Sequence, residues 1–197
     1  MAAIDDNQIH EIVQRVVAQV TGPAQPAAPA APVTTAAAPA PEAKPTGTKV
    51  VAIGSDHGGF DLKENLRLYI AELGFDVRDM GTYNKNAVDY PEFAHAIARL
   101  VSTGKAWRGI MIDGAGIGSC IVANKVPGVR AGMAYDLSSA SNSREHNDTN
   151  VLTLGAGLIG VNLARQIVKT WLATEFGGGR HAPRVEKIMA VEKQYLK

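Results

Sequence analysis

Cysteine is nearly missing from this sequence: Cys120 stands alone among 197 residues. A single thiol excludes an intrachain disulfide framework and fits a reducing cytoplasm. Charge of either sign is equally scarce as a signal. Twenty Lys and Arg against nineteen Asp and Glu leave a formal net charge of +1. That balance argues against nucleic acid or an anionic membrane as a partner, because both require a concentrated basic face. No apolar run reaches membrane-spanning length. The first residues, MAAIDDNQIHEIV, lack the basic start and unbroken apolar stretch of a secretory signal, so a cytoplasmic protein is expected. The histidines and acids lack H-x-x-x-H or paired-Cys spacing, so neither a metal site nor a cofactor is expected.

What is present divides into three parts. Seven of the ten prolines fall between Gly22 and Gly47, in a stretch made almost entirely of Ala, Pro, Thr and Gly. Proline removes backbone donors and the small side chains offer little area to bury, so residues 22–47 are expected to be an extended linker. Before it, Asp5 and Asp6 are placed to cap a helix over residues 1–21. In it Ile9, Ile12, Val13, Val16, Val17 and Val20 fall on one face, opposite Asn7, Glu11, Gln14, Arg15 and Gln19. A helix of about four turns is marginal alone in water and needs a surface to dock on. Packing back on its own domain, or pairing with itself, is one reading. A membrane surface suits it less, since the polar face has one Arg and the apolar face no Trp or Phe. A short aliphatic helix on a Pro/Ala tether also resembles, in pattern, the encapsulation peptides that carry enzymes into bacterial microcompartments, which would make shell proteins its partner.

Residues 48–197 are expected to form one domain. Strands KVVAIG, FDVRDMG, GIMIDG, VRAGMAY and VLTLG alternate with helices near 60–73, 91–101, 117–125, 138–145 and 160–174, and a last helix starts near Ala182. Aliphatic strands separated by helices predict an α/β, Rossmann-like three-layer sandwich with a five-stranded parallel sheet covered on both faces. Ligands of such sheets bind beyond the carboxyl ends of the strands. There the sequence places GSDHGG, DGAGIGS, YD and GAG.

Asp113 leads into Gly114, Ala115, Gly116, Ile117, Gly118 and Ser119, a glycine turn opening a helix that is suited to presenting N–H groups to a phosphate or an enediolate oxygen. A dinucleotide fingerprint would need its glycines after the first strand, at another spacing. Asp56 and His57 either face the same crevice or, respectively, cap the next helix and lie exposed. His146 is placed to move a proton or to satisfy a loop carbonyl. Arg180 and Arg184, flanking His181, form either a phosphate clamp or a solvated basic helix start. Tyr135 and Asp136 are crevice candidates or packing residues, and His10 and His95 read as structural.

In order along the chain, GSDHGGFDLKENL, GTY…VDYPEFA, DGAGIGS…ANKVPGVRA, SREHNDTNVLTLGAGLIG and GGRH…RVEKI resemble the ribose-5-phosphate isomerase B and galactose-6-phosphate isomerase family over residues 49–190. The resemblance implies a metal-independent aldose–ketose isomerase that interconverts ribose 5-phosphate and ribulose 5-phosphate through an enediolate. It also implies a site shared between the subunits of a homodimer, alone or as a dimer of dimers. Asp56 and His57 would contact substrate, His146 and Asn147 would assist ring opening, Arg180 and Arg184 would hold the phosphate, and residues 114–118 would stabilise the enediolate. One branch of the family has cysteine at the position of Asp113 and another glutamate at that of Ser119; this chain has neither. Asp113 is therefore the expected base, a carboxylate being competent towards the acidified proton beside a carbonyl. Cys120 is a second candidate, although a small residue opening a buried helix is its simpler role. Ala115 replaces a hydroxyl residue common in the family. A six-carbon sugar phosphate, or binding with weakened catalysis, are the alternatives.

Overall fold

A computed structural model describes residues 49–196. The helix expected over residues 1–21 and the linker over 22–47 lie outside the described residues. The chain runs β1 (Val50–Ser55), α1 (Phe60–Glu72), β2 (Asp76–Asp79), α2 (Tyr90–Ser102), β3 (Arg108–Asp113), α3 (Ile117–Ala123), β4 (Ala131–Met133), α4 (Leu137–Asn147), β5 (Val151–Gly155), α5 (Val161–Ala173), a 3-10 turn (Gly179–His181) and α6 (Ala182–Tyr195). All five strands are parallel, in the order β2-β1-β3-β5-β4.

Period-two alternation assigns each face. Val51, Ile53, Ile110, Ile112, Leu152 and Leu154 point into a layer with α1, α4 and α5, where Leu66, Ile70, Ala140, Ile167 and Trp171 are fully buried. Ala52, Met111 and Val151 point the other way, onto Ala94, Ile97 and Ala98 of α2 and Ala123 of α3. The expected three-layer sandwich is the one observed. The central strands are buried along both faces, whereas the two edge strands, β2 and β4, are short and half-buried.

Two features of this frame position the site. The order reverses between β1 and β3, so a crevice opens where their carboxyl ends diverge, at the switch point typical of open parallel sheets. At the opposite, amino ends of the strands, buried Arg108 of β3 donates to the carbonyls of Trp171 (2.6 Å) and Leu172 (3.0 Å), satisfying the end of α5. Burial, then the neighbouring Arg144, pull its guanidinium down to about 9. Arg144 reaches the Thr174 carbonyl at 3.2 Å, and Gly177 N–H donates to the Glu145 carbonyl at 2.9 Å. These bonds fix the end of α4 and the chain after α5 as one unit. No described helix is long and apolar enough to cross a membrane.

Candidate active site

The carboxyl ends of β1 and β3 bring two of the sequence motifs together. Asp56 is buried, and its Oδ1 accepts the Gly59 N–H at 2.9 Å, so it closes the turn that leads into α1 while standing at the crevice. His57 is exposed. Its Nδ1 lies 3.0 Å from the Val88 carbonyl oxygen and 3.3 Å from the Val88 nitrogen. Either tautomer is therefore held by the β2–α2 loop, and Nε2 has no partner among the described residues. A Cβ at Gly58 would come within 4.0 Å of the Gly114 nitrogen, which places the β1 loop directly beside the glycine loop.

Asp113 ends β3 and is 4% exposed. Oδ1 accepts the N–H groups of Ala115 (2.9 Å) and Gly116; Oδ2 accepts the Ser119 N–H (3.0 Å) and hydroxyl (2.5 Å). Four donors occupy both oxygens, so the side chain expected to serve as base also folds the loop around itself. Gly116 takes φ of +79° to open α3, a conformation that favours glycine. With Ala115, Gly116 and Ser119 committed to the carboxylate, the N–H groups of Gly114, Ile117 and Gly118 have no acceptor among the described residues. Three free donors in one short loop can stabilise an enediolate oxygen.

The Ala115–Gly116 peptide is held from both sides. Its N–H meets Asp113, and its carbonyl accepts the Tyr135 hydroxyl at 3.1 Å from the end of β4. Tyr135 thus touches the loop, whereas Asp136 caps α4 in a reciprocal pair with Ser139. The Ser139 backbone N–H bonded to it lowers the Asp136 carboxyl. Tyr135→Phe keeps the ring and removes the bond. Steady-state kinetics and thermal unfolding should show turnover reduced about three- to tenfold with KM nearly unchanged, and about 1 kcal/mol of stability lost. Cys120 faces away: Sγ lies 3.6 Å from the Ala131 carbonyl oxygen, and burial pushes the thiol up.

The remaining candidates assemble towards the amino ends of the strands, before β5. His146 lies in the last turn of α4, where the Asn142 amide donates to its Nδ1 at 2.8 Å and so places the proton of a neutral ring on Nε2. Its ring stacks on His181, with centroids 4.1 Å apart and planes 8° from parallel. Burial, then the charges of His146, Arg180 and Arg184, hold the His181 imidazole below the usual range. Arg180 Nε donates to His181 Nε2 at 3.4 Å. Asn147 follows, and then Asp148, which turns left-handed (φ 47°) at the end of α4, bonded by Arg130 (2.8 Å) and Arg144 (2.7 Å). His181 and Asp148 are the residues here that spacing alone did not single out. GGRH and HNDTN contain them, but only the stacking and the double arginine clamp display their roles. His95 is exposed on α2.

The two clusters are separated by the length of the sheet. Gly155, which ends β5, packs against Ala115 of the glycine loop, while His146 and Asn147 precede the start of β5. Five residues of strand span about 16 Å. An extended five-carbon phosphate spans roughly 9 Å at ordinary bond lengths. Within one chain, then, the glycine loop with Asp56 and His57 forms one cluster, and His146, Asn147, Arg180, His181 and Arg184 form another.

Comparison with known proteins agrees with this architecture. The ribose/galactose isomerase family matches residues 51–188, and the chain belongs to that family. It is 44% identical to ribose-5-phosphate isomerase B of Escherichia coli over 146 residues, covering 74% of this chain and 98% of that protein. It is 43% identical to a D-erythrulose-4-phosphate isomerase of Pectobacterium atrosepticum, covering 73% and 95% of the two chains. The structure of ribose-5-phosphate isomerase B from Clostridium thermocellum superposes with a TM-score of 0.74 at 48% identity, over 75% of this chain and 99% of that one.

Proposed function

We propose that this protein is a metal-independent aldose–ketose isomerase that interconverts ribose 5-phosphate and ribulose 5-phosphate. The observation that carries this reading is the glycine loop beside Asp56 and His57, with three unpaired N–H groups around a buried carboxylate. His146 opens the furanose by exchanging protons with the ring oxygen and anomeric hydroxyl. Asp113 then removes the proton from C2 of the open aldose and returns it to C1; the C2 hydroxyl passes its proton to the C1 oxygen, so that O1 ends as a hydroxyl and O2 as the ketone, and whichever of the two bears the charge between is the enediolate oxygen. Gly114, Ile117 and Gly118 donate to that oxygen. Asp56 and His57 hold sugar hydroxyls, Asn147 steadies the opening ring, and Arg180 and Arg184 neutralise the phosphate. Purified protein in excess EDTA should convert ribose 5-phosphate to ribulose 5-phosphate, read by the ketose product. Loss of turnover on chelation would refute the metal-free mechanism.

The reaction requires both half-sites, so the working unit is a homodimer in which each crevice takes its second half from the partner subunit. The exposed surface supports this. Helix α6 buries none of its residues, and Ile188, Val191 and Tyr195 on it are 47%, 55% and 81% exposed. A groove of about 760 Å³ separates it from Val129 and Ala131 beside the edge strand. On α3, Ile117 and Ile121 are likewise half exposed. A helix of this length with no buried face gains its stability from a partner.

Substrate length is the second question. Relatives bearing the names of a five-carbon and a four-carbon phosphate isomerase stand at 44% and 43% identity. Overall similarity does not separate them, and relative kcat/KM across four-, five- and six-carbon phosphates will rank the substrates. Tight binding without turnover on any of them would instead favour a sugar-phosphate binder.

Residues 1–21, through the linker 22–47, address the enzyme to a microcompartment shell. Deleting residues 1–47 should leave kcat and KM within twofold and abolish co-localisation with shell protein in fluorescence microscopy. Retained co-localisation would overturn that role.

A further inference from the structure

Asn142 and His146 lie one helical turn apart on α4, at the spacing that brings two side chains of a helix together. The Asn142 amide donates to His146 Nδ1 at 2.8 Å, and its side chain has no other hydrogen-bond partner among the described residues. With Asn147, Ser138, Ser139 and Ser143 it lines a depression of about 470 Å³ beside α4. Asn142 is exposed and the His146 side chain is 34% exposed, so both meet water. The charged and titratable groups around the imidazole lie elsewhere than at Nδ1. Glu145 Oε1 is 3.9 Å from Nε2, and His181 stacks on the ring with the guanidiniums of Arg180 and Arg184 beside it. Asp148, two residues on, is engaged by Arg130 and Arg144.

Ring opening places two demands on one nitrogen. Nε2 must first take the proton of the anomeric hydroxyl and then give that proton to the ring oxygen. As the hydroxyl O–H breaks, its electron pair closes the C1 carbonyl, the C1–O4 bond breaks, and O4 takes the proton from Nε2. The histidine ends as it began. A neutral ring meets the first demand only with its own proton on Nδ1, and that N–H then needs an acceptor. The bond in the structure shows the other state, with Nδ1 bare and the proton on Nε2. Asparagine serves both states, because its amide carries a donor and an acceptor on one planar group and a half-turn exchanges them. A carboxylate in its place could only accept, and an aliphatic side chain could do neither.

We propose that Asn142 is the positioning residue for ring opening: its amide turns over to accept from Nδ1–H of His146 and thereby leaves Nε2 free as the base for the anomeric hydroxyl. This rests on the isomerase reading and deepens it. Asn142 acts through the imidazole alone, so it governs the closed sugar and not the open one.

Asn142→Leu keeps the side-chain size and removes both functions of the amide, whereas Asn142→Asp keeps only the acceptor. With ribose 5-phosphate, a closed sugar, the leucine variant should lose about tenfold in kcat. Ribulose 5-phosphate cannot close a five-membered ring, because O5 carries the phosphate. Exchange of its C1 proton with deuterated solvent, followed by NMR, therefore reports enediolate formation with no ring to open. In the leucine variant that exchange should stay within about twofold of wild type. The aspartate variant should keep its turnover at alkaline pH, with the acid limb of its kcat/KM profile moved up by about one unit. A carboxylate beside Nδ1 favours the imidazolium, so Nε2 becomes bare only at higher pH. Equal losses of ribose 5-phosphate turnover and of C1 exchange would make Asn142 a structural residue and overturn the assignment. So would turnover within about twofold of wild type in the leucine variant, or an unshifted profile in the aspartate one. If wild type turns over no sugar phosphate, the isomerase reading fails first. The ¹⁵N spectrum of the His146 ring then decides separately. The neutral ring should carry its proton on Nε2 in wild type and on Nδ1 in Asn142→Asp, and an unchanged tautomer would sink the role of Asn142 by itself.

Discussion

Mixing two inactive variants, Asp113→Asn and His146→Ala, under conditions of subunit exchange should restore about one quarter of wild-type turnover. The figure follows from the geometry. If each site joins the glycine loop of one subunit to the His146 cluster of the other, a mixed dimer has one site carrying both lesions and one carrying neither. Random pairing makes about half of all dimers mixed, each with one of two sites intact. Both parents should be nearly silent, since each lacks a proton-transfer group worth about 10²–10⁴ in rate. The recovery should rise with the kinetics of exchange and vanish when the variants are kept apart. A site contained in one chain predicts no recovery at any mixing time. That single comparison tests the separation of the half-sites across the length of β5 more sharply than a molecular-mass measurement, because a dimer without shared sites would also remain silent.

Much of this arrangement is legible in the residue pattern, and the parts that are not share a cause. Strands such as GIMIDG and VLTLG are buried on both faces and bounded by glycines, so their existence and order were clear, and helix limits differ from expectation by only one or two residues. The edge strands were harder. FDVRDMG and VRAGMAY contribute only four and three residues of ladder, because an edge has one neighbour to pair with and its ends turn away into loops. Asp56 was left between capping the next helix and facing the crevice; it is buried at the end of β1, and its Oδ1 accepts the N–H of Gly59, the residue before α1.

The contacts that spacing could not supply are those between side chains distant in the chain. Tyr135 reaches a carbonyl twenty residues earlier, and His181 stacks on His146 thirty-five residues back. Neither follows from a local period. Nor does the contact of the Tyr90 ring with Gly118, which depends on how α2 and α3 pack on one face of the sheet.

Replacing Asp113 by cysteine should give a more active enzyme than replacing it by asparagine, and the order of the two decides what the carboxylate does. Asp113 has two separable duties. As a clamp, it accepts four bonds that shape residues 114–119. As a base, it must carry a proton between adjacent carbons. Asparagine keeps one acceptor oxygen for Ala115 and Gly116 but turns an NH₂ towards the Ser119 donors, and it has no usable basicity. Cysteine accepts weakly and so is the poorer clamp, yet its thiolate is a competent base. If proton transfer dominates, Asp113→Asn loses at least about 10³ in kcat while Asp113→Cys keeps activity that climbs as pH is raised through the ordinary thiol range near 8.5. If the clamp dominates, the order reverses and neither variant gains with pH. The clearest readout is exchange of the C2 proton of the aldose with deuterated solvent, followed by NMR. It reports proton abstraction even where ring opening limits turnover, and it should be retained in the cysteine variant and lost in the asparagine one. The hydroxyl of Ser119, 2.5 Å from Oδ2, is the bond that must open for the carboxylate to act. It is the only side-chain donor of the four, and rotation of a hydroxyl frees that lone pair without disturbing the backbone N–H groups that hold the loop.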